Sequence, residues 1–365
     1  MTIRLVPVAA VISVLMLAGF ASAQTTEKKQ PELKRESDES LNHFGVSYRV
    51  GLNVNVRFKN IGAFQPHNPG PVAHVADHEY DDGYVRTDRE KNQHPFNENT
   101  TWNYAYAKDD GSQYLIEQDQ LAMHSTFSSG VASKEDSDPR HGFELTYSRQ
   151  LGHAGHGTWG VEGAFNYMET GAANSQPSSS KISQITDLFN LNGVRPPVGF
   201  PAPGVTTGHG TFEGPESVIS DYPNRTVDSN FGTATSTGWR KFDANIYGFR
   251  LGPYLKIPLC KRADLLLGGG LALAQVDSRF SYQERIVFST GGGPFSPSGS
   301  GSHSELMAGG YLSANLSAKL SSRIDAFAGV QFQSMGTYRH TENHRTAELD
   351  LSQSLFFVAG LGYSF

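Results

Sequence analysis

The sequence predicts an all-β protein: an antiparallel up-and-down transmembrane β-barrel of about ten strands, with eight or twelve also compatible. Three observations predict this fold. The last seventeen residues alternate between apolar and small or polar side chains, residues 44–58 do the same, and long and short connections alternate between the predicted strands. Successive side chains of a strand point to opposite faces, so each alternating segment forms a strand with one apolar face.

Residues 44–58 carry the clearest alternation. The apolar positions are Phe44, Val46, Tyr48, Val50, Leu52, Val54, Val56 and Phe58. The other face includes Arg49, Asn53 and Arg57. In a soluble barrel the apolar face would point inward, whereas in a membrane barrel it faces lipid and the charged face lines a polar lumen. Aromatic residues at both ends of the apolar row favour the membrane arrangement.

The last strand, residues 349–365, is longer than the roughly 9–11 residues that a tilted strand needs to cross a bilayer. It resembles the C-terminal strand of Gram-negative outer-membrane β-barrels, in which a terminal Phe and apolar residues alternating back from it are read by the outer-membrane assembly machinery. The matching residues are Phe357, Ala359, Leu361, Tyr363 and Phe365. Of these, the predicted assembly signal consists of Phe357, Leu361, Tyr363 and Phe365. The resemblance implies outer-membrane lipid and lipopolysaccharide as surroundings and the assembly machinery as a partner. The last strand of a soluble sandwich would alternate in the same way, so other segments must decide.

The connections decide between these two folds. Further strands are predicted at 100–106, 114–127, 141–151, 158–168, 242–259, 265–282, 306–320 and 324–332. Long connections fall at 59–98, 128–140, 169–240, 289–304 and 339–348, and short ones at 108–112, 152–156, 260–264 and 321–323. Strict alternation is typical of membrane barrels with long extracellular loops and short periplasmic turns. We also expect a bulge near 247–249 and a short helix over 182–191.

The N-terminus indicates export. Residues 1–23 contain a basic start, an apolar run and an Ala-Ser-Ala cleavage site, which predict a signal peptide. Residues 24–43 are charged and predict a disordered periplasmic segment, so the barrel comprises 44–365. The single cysteine, Cys260, cannot form an internal disulfide, and a net charge of −6 gives no basic surface for nucleic acid. The predicted location is the outer membrane of a Gram-negative bacterium.

The polar faces of the strands supply the candidate site. The predicted lumen-facing residues are Arg49, Asn53, Arg57, Glu144, Glu162, Asn315, Lys319, Asp325, Gln331 and Gln333. A barrel of about ten strands is near the size that side chains can fill. If the arginines lie level with the glutamates, they form an ion network that blocks flow. If the two signs are separated along the axis, a selective channel results.

The sequence contains no G-x-S-x-G, H-E-x-x-H or C-x-x-C motif. We therefore predict no catalytic residues, no metal site and no cofactor. His74 and His78 have a spacing that suits a metal on a helix, but no third ligand stands at a recognised spacing.

Three functions fit this sequence. The first is a non-enzymatic barrel that acts as a narrow pore or has a structural or surface-interaction role. The second is an adhesin-like barrel that binds an external ligand through loops 59–98 and 169–240. The third is an outer-membrane hydrolase, for which His124, His141, Ser148 and Glu162 supply suitable side chains but match no family motif.

Overall fold

The computed structural model describes residues 41–73, 76–86, 100–101, 104–106, 113–115, 118–135, 139–191, 193, 219–291 and 293–365. The predicted signal peptide and most of the predicted periplasmic segment lie outside these residues. The strands are β1 (Asn42–Leu52), β2 (Asn55–Ile61), β3 (His78–Tyr80), β4 (Gly83–Val85), β5 (Thr100–Thr101), β6 (Tyr104–Tyr106), β7 (Tyr114–Leu115), β8 (Gln120–Phe127), β9 (Val131–Glu135), β10 (Arg140–Ala154), β11 (Gly157–Asn174), β12 (Ser178–Asn190), β13 (Ile219–Ser220), β14 (Asn224–Cys260), β15 (Ala263–Phe288), β16 (Ser298–Lys319), β17 (Ile324–Ser334), β18 (Thr337–Glu342), β19 (Arg345–Asp350) and β20 (Ser354–Ser364).

Eight strands close a ring in the order β1, β10, β11, β14, β15, β16, β17, β20 and back to β1, with every pairing antiparallel. The predicted antiparallel barrel is confirmed, and its strand number is the lower end of the predicted range. Following the register from Val46 leads to Ala308 in one direction and Ala318 in the other, so the ring is staggered by ten residues. Such a stagger tilts the strands, and eight strands leave an interior that side chains can fill.

The short connections lie together at one end of the ring, called the turn end here. They join β10 to β11, β14 to β15 and β16 to β17, at the three places where the sequence predicts turns within 152–156, 260–264 and 321–323. The predicted turn at 108–112 lies outside the described residues. The opposite end, called the loop end, carries all the long connections.

The segments 100–106 and 114–127 are not members of the ring, contrary to prediction. They contain β5 and β6, which belong to small separate sheets, and β7 and β8, which extend the large sheet from β12 outside the ring. A single long connection therefore runs from β1 to β10. Both strands that are absent from the ring lie within this one connection. Long and short connections therefore still alternate in the eight-stranded ring.

The loop end is itself built of strands. β12 pairs with β14 beyond the ring, β8 pairs with β12, and β18, β19, β2 and β9 form a four-stranded sheet. Residues 182–191, predicted as a helix, lie mostly in β12. The register of β12 shifts between Ile182 and Gln184. Because of that shift, Ile182 is buried at an even-numbered position and Phe189 at an odd-numbered one. The apolar residues of this segment therefore have a spacing that resembles that of a helix.

An apolar belt surrounds the turn half of the ring. Its exposed side chains include Phe44, Val46, Tyr48, Phe143, Tyr147, Trp159, Val161, Phe249, Leu251, Leu271, Leu273, Leu316, Leu361, Tyr363 and Phe365. Exposed apolar surface of this extent exceeds what a monomer normally leaves in water. The predicted assembly-signal residues all lie on this outer surface. No helix in the described part of the chain is long and apolar enough to cross a membrane.

Beyond the belt, apolar side chains face inward. Between β1 and β2 the alternation reverses at Asn53, whose φ of 61° lies in the left-handed region that Asn tolerates. Val54, Val56 and Phe58 are therefore buried, and Arg57 is exposed.

On β14 the inward-facing side also becomes apolar beyond the belt, but the alternation of inward and outward positions does not reverse. Phe242, Ala244 and Ile246 point inward, and the outward positions change from Asp243 to the exposed Phe249 within one continuous register. The predicted bulge near 247–249 is thus wrong, because the type of residue changes along the strand and its phase does not.

Candidate functional site

An ion network crosses the inside of the ring. Glu144 on β10 accepts hydrogen bonds from Arg49 Nη1 at 3.1 Å and from Arg250 Nη2 at 2.7 Å. Arg49 Nη2 also donates to Gln333 Oε1 at 2.9 Å, and Arg250 Nη1 donates to Glu162 Oε1 at 3.4 Å. We call these five residues the interior network. Because they come from β1, β10, β11, β14 and β17, they connect strands on different sides of the lumen.

Aromatic rings flank both guanidinium groups of the interior network. Arg49 Cζ lies 3.5 Å from the ring centroid of Phe356, and Arg250 Cζ lies 4.6 Å from that of Tyr311. A guanidinium held over an aromatic face is stabilised by the ring's negative electron density, most strongly when both are removed from water. These contacts extend the filled level to β20 and β16.

The interior network is balanced in charge. It contains two guanidinium groups and two carboxylates, and the side chains of Arg49 and Arg250 are each only 2% exposed. An unpaired charge at such depth would cost several kcal/mol, whereas a paired and hydrogen-bonded one is tolerated. The interior network therefore pairs two arginines with two glutamates and leaves neither sign in excess.

The other predicted lumen residues are dispersed. Gln331 is buried inside the ring, and Asn315 and Asp325 line the cavity described next. Lys319 lies at the turn end with its Nζ 3.9 Å from Asp264 Oδ2. Asn53 and Arg57 are exposed, because Asn53 is the residue at which the alternation reverses.

A small cavity lies on the turn side of the interior network. It has a volume of about 110 Å³ and is lined by polar residues of several strands. Asp325 bridges His43 Nε2 at 2.9 Å and Ser317 Oγ at 2.8 Å there. Lys256 Nζ lies 3.2 Å from Asp264 Oδ2. These pairs narrow the turn-side opening of the barrel.

An apolar core fills the loop side of the interior network. Its largest members are Phe58, Phe242, Phe280, Tyr282, Tyr338, Leu349 and Phe356, and all are nearly or fully buried. Phe58 and Phe280 stack with ring centroids 5.9 Å apart. Since β2, β18 and β19 contribute to this core together with ring strands, the loop-end sheets close over the lumen.

A second set of buried charges lies at the loop end. Glu284 on β15 accepts hydrogen bonds from Arg240 Nε at 2.8 Å and from Arg345 Nε at 3.0 Å. Arg345 Nη2 also donates to the carbonyl oxygen of Ala63 at 2.7 Å. The side chains of Arg240, Arg345 and Glu284 are 2%, 5% and 0% exposed. We call these three the loop-side cluster.

A cleft of about 950 Å³ opens beside the loop-side cluster. Its apolar wall consists of Phe64, Pro66, Phe127, Ile182, Tyr282, Phe288, Pro294, Phe295 and Pro297. Arg345, His344 and Asn343 line the same space from the turn between β18 and β19. Burial raises the pKa of the Tyr282 phenol, so this ring carries no negative charge at neutral pH. A concave, mostly apolar space of this volume with a few polar groups is typical of ligand sites.

The histidine and serine side chains considered for hydrolysis do not converge. His124 at the loop end lies 2.7 Å from Asp82 Oδ2, whereas His141 on the outside of the ring lies 2.5 Å from the Tyr48 hydroxyl. Ser148 and Glu162 line the turn-side cavity instead. The described residues thus bring together no nucleophile, base and orienting group from this set.

The described residues also contain no group of three or more His, Cys, Asp or Glu that could hold a metal ion. His78 is buried with its Nδ1 2.6 Å from the carbonyl oxygen of Pro69, and His74 lies outside the described residues.

Sequence reasoning did not find Arg250, Arg240, Glu284 or Arg345. No residue of β14 was placed in the lumen, because a bulge was expected near 247–249. Arg240, Glu284 and Arg345 lie on strand segments beyond the belt, where polar alternation no longer distinguishes inside from outside. The sequence signal that points to Arg240 is its position in phase with the apolar residues Phe242, Ala244 and Ile246.

Several solved structures are similar to this chain. The attachment invasion locus protein Ail of Yersinia pestis matches with a TM-score of 0.29 and 11% identity, over 90% of this chain and 100% of that one. The outer membrane protease OmpT from Escherichia coli matches with a TM-score of 0.28 and 9% identity, over 89% and 96%. The toluene transporter TodX of P. putida matches with a TM-score of 0.17 and 8% identity, over 90% and 91%. No family model and no curated protein matches. The closed antiparallel ring by itself shows the barrel fold.

Proposed function

We propose that this chain is a non-enzymatic outer-membrane barrel that is closed to solutes and acts at the cell surface through its loop end. The observation that carries this proposal is the filled interior. The interior network joins opposite strands at one level, and the apolar core closes the next level towards the loop end. An eight-stranded ring has little interior space beyond its own side chains.

The apolar belt supports a membrane location. Its exposed Phe, Leu and Val side chains match the outward band of a membrane barrel, and Tyr147, Trp159 and Tyr363 suit its aromatic border at the turn end. The short connections at one end and the strand-built loops at the other support an orientation with the turns in the periplasm. In that orientation β20 ends at the periplasmic side, where the proposed assembly signal including Phe365 pairs with β1.

A role at the surface is supported by the loop-side cleft. It opens at the end that the proposed orientation exposes to the outside, and its wall is mostly apolar. A binding role therefore fits this end of the molecule.

Conductance in a planar bilayer tests the closed barrel. The refolded mature chain is expected to pass no steady current, because Arg49, Glu144 and Arg250 connect across the lumen and the apolar core excludes water beside them. A heat-modifiable compact band on a gel, measured on the same sample, shows that the inserted protein is folded. Steady, ion-selective current from protein with that band would refute a closed barrel.

A further inference from the structure

The loop-side cluster differs from the interior network in its charge balance. Glu284 is shared by two guanidinium groups, and within the described part of the chain it is the one carboxylate within ion-pair distance of Arg240 or Arg345. Arg240 makes its other bonds to neutral groups, Asn174 Oδ1 at 3.3 Å and Ser236 Oγ at 3.3 Å. The cluster thus holds one excess positive charge.

That excess charge is buried. An uncompensated ion removed from water is costly, and proteins retain one only where a counter-charge offsets the cost. In the interior network, which is also largely buried, two carboxylates balance two arginines. The contrast indicates that the loop-side cluster is completed by an anion that is not one of its three members.

Arg345 provides the access for such an anion. It lines the cleft together with His344 and Asn343, and none of the described residues that line the cleft is Asp or Glu. The guanidinium group is held in place from behind by Glu284 and by the carbonyl oxygen of Ala63. A fixed cation at the edge of an apolar space is a preorganised site for a negative group.

The remaining wall defines the body of the ligand. Phe64, Phe127, Phe288 and Phe295 come from separate segments and face the same space, with prolines between them. Its volume of about 950 Å³ exceeds what a simple inorganic anion would fill. The apolar wall and the single cationic edge together select a molecule with a long apolar body and one anionic end.

We propose that the cleft binds an amphiphilic anion of the fatty-acid class, with its acyl chain against the phenylalanines and its acidic group at Arg345. This deepens the proposed function, on which it rests for the outward exposure of the cleft. The same chemistry is available from a free fatty acid and from the acylated, phosphorylated lipid of the outer leaflet.

Binding of a dansyl-labelled fatty acid to the full mature chain in nanodiscs tests the proposal, with empty nanodiscs subtracted. The fluorescence is expected to saturate as the acid is added. The affinity for its uncharged methyl ester is expected to be at least about tenfold lower, because the ester loses the charge pair with Arg345. Arg345→Gln should remove this preference while leaving Arg240 and Glu284 as a balanced pair. The matched control is Arg285→Gln, which removes an arginine from the exposed face of β15. This variant should bind like the wild type.

Competition identifies the source of the ligand. Displacement of the probe by unlabelled fatty acid alone assigns a free acid, and displacement by purified lipid A alone assigns a membrane lipid. Equal binding of acid and ester, or full binding by Arg345→Gln, would overturn the proposal. Either result would leave the conductance of the barrel unchanged, so failure of this site is distinguishable from failure of the closed-barrel function.

Discussion

Replacement of Glu144 by Gln is expected to lower the free energy of unfolding of the barrel by about 3–5 kcal/mol. Glu144 is the carboxylate that both Arg49 and Arg250 contact, and all three side chains are nearly inaccessible to water. The amide has nearly the same shape but no charge, so Arg250 would keep only Glu162 as a carboxylate partner, and Arg49 would lose the one carboxylate it pairs with among the described residues. The cost is that of a buried charge without its partner.

Urea unfolding followed by gel mobility and tryptophan fluorescence measures this effect. Glu305→Gln removes a carboxylate from an exposed position of β16 and serves as the control, with little expected change. Adding Arg49→Met to Glu144→Gln restores one guanidinium group and one carboxylate. The free energy of unfolding of the double variant should therefore fall by less than the sum of the decreases caused by the two single substitutions. Strict additivity, or a Glu144→Gln variant as stable as Glu305→Gln, would contradict the role given to the interior network.

Replacement of Glu284 by Gln is expected to destabilise the loop end by a similar amount, about 3–5 kcal/mol. Arg240 and Arg345 would then be buried with no carboxylate between them. Glu284 also accepts a hydrogen bond from the Gly62 backbone at 3.2 Å, so the segment after β2 should loosen as well. Arg345→Gln is expected to cost much less, because it leaves a balanced pair.

Hydrogen exchange resolved by peptide measures where this loss occurs. In Glu284→Gln, amides of β14 and β15 around Arg240 and Glu284 should exchange faster, while those around Arg250 keep their protection. Glu305→Gln again provides the control. Two results would contradict the excess positive charge assigned to the loop-side cluster. One is unchanged protection of the loop end in Glu284→Gln, and the other is an Arg345→Gln protein that is less stable than Glu284→Gln.

The turn half of the barrel could be predicted from the sequence because one physical rule governs it. From Phe44 to Leu52 every outward side chain is apolar, so alternation directly distinguishes the two faces. The same rule predicts the closing strand that ends at Phe365. Connection lengths also predict the correct order of turns and loops, and the eight strands of the ring are the lower end of the predicted range.

The loop half could not be predicted in this way, because its inside is apolar and its outside polar. Asn53 reverses the phase on one strand, whereas β14 keeps its phase and changes residue type between Asp243 and Phe249. Alternation in the sequence therefore places Arg57 on the wrong face and predicts a bulge where none exists. The cleft could not be predicted for a different reason. Its wall consists of segments between Ala63 and Arg345 that come together only in the folded chain.

The orientation of the barrel in the outer membrane is tested most directly by thiol labelling of cells. Cys260 is the only cysteine and is exposed at the turn end. A large maleimide-polyethylene glycol reagent should leave it unlabelled in intact cells and label it after the outer membrane is permeabilised. A Cys260→Ser chain carrying Thr341→Cys, an exposed position at the loop end, should be labelled in intact cells. Labelling of Cys260 in intact cells would contradict a barrel that crosses the outer membrane with its turns in the periplasm.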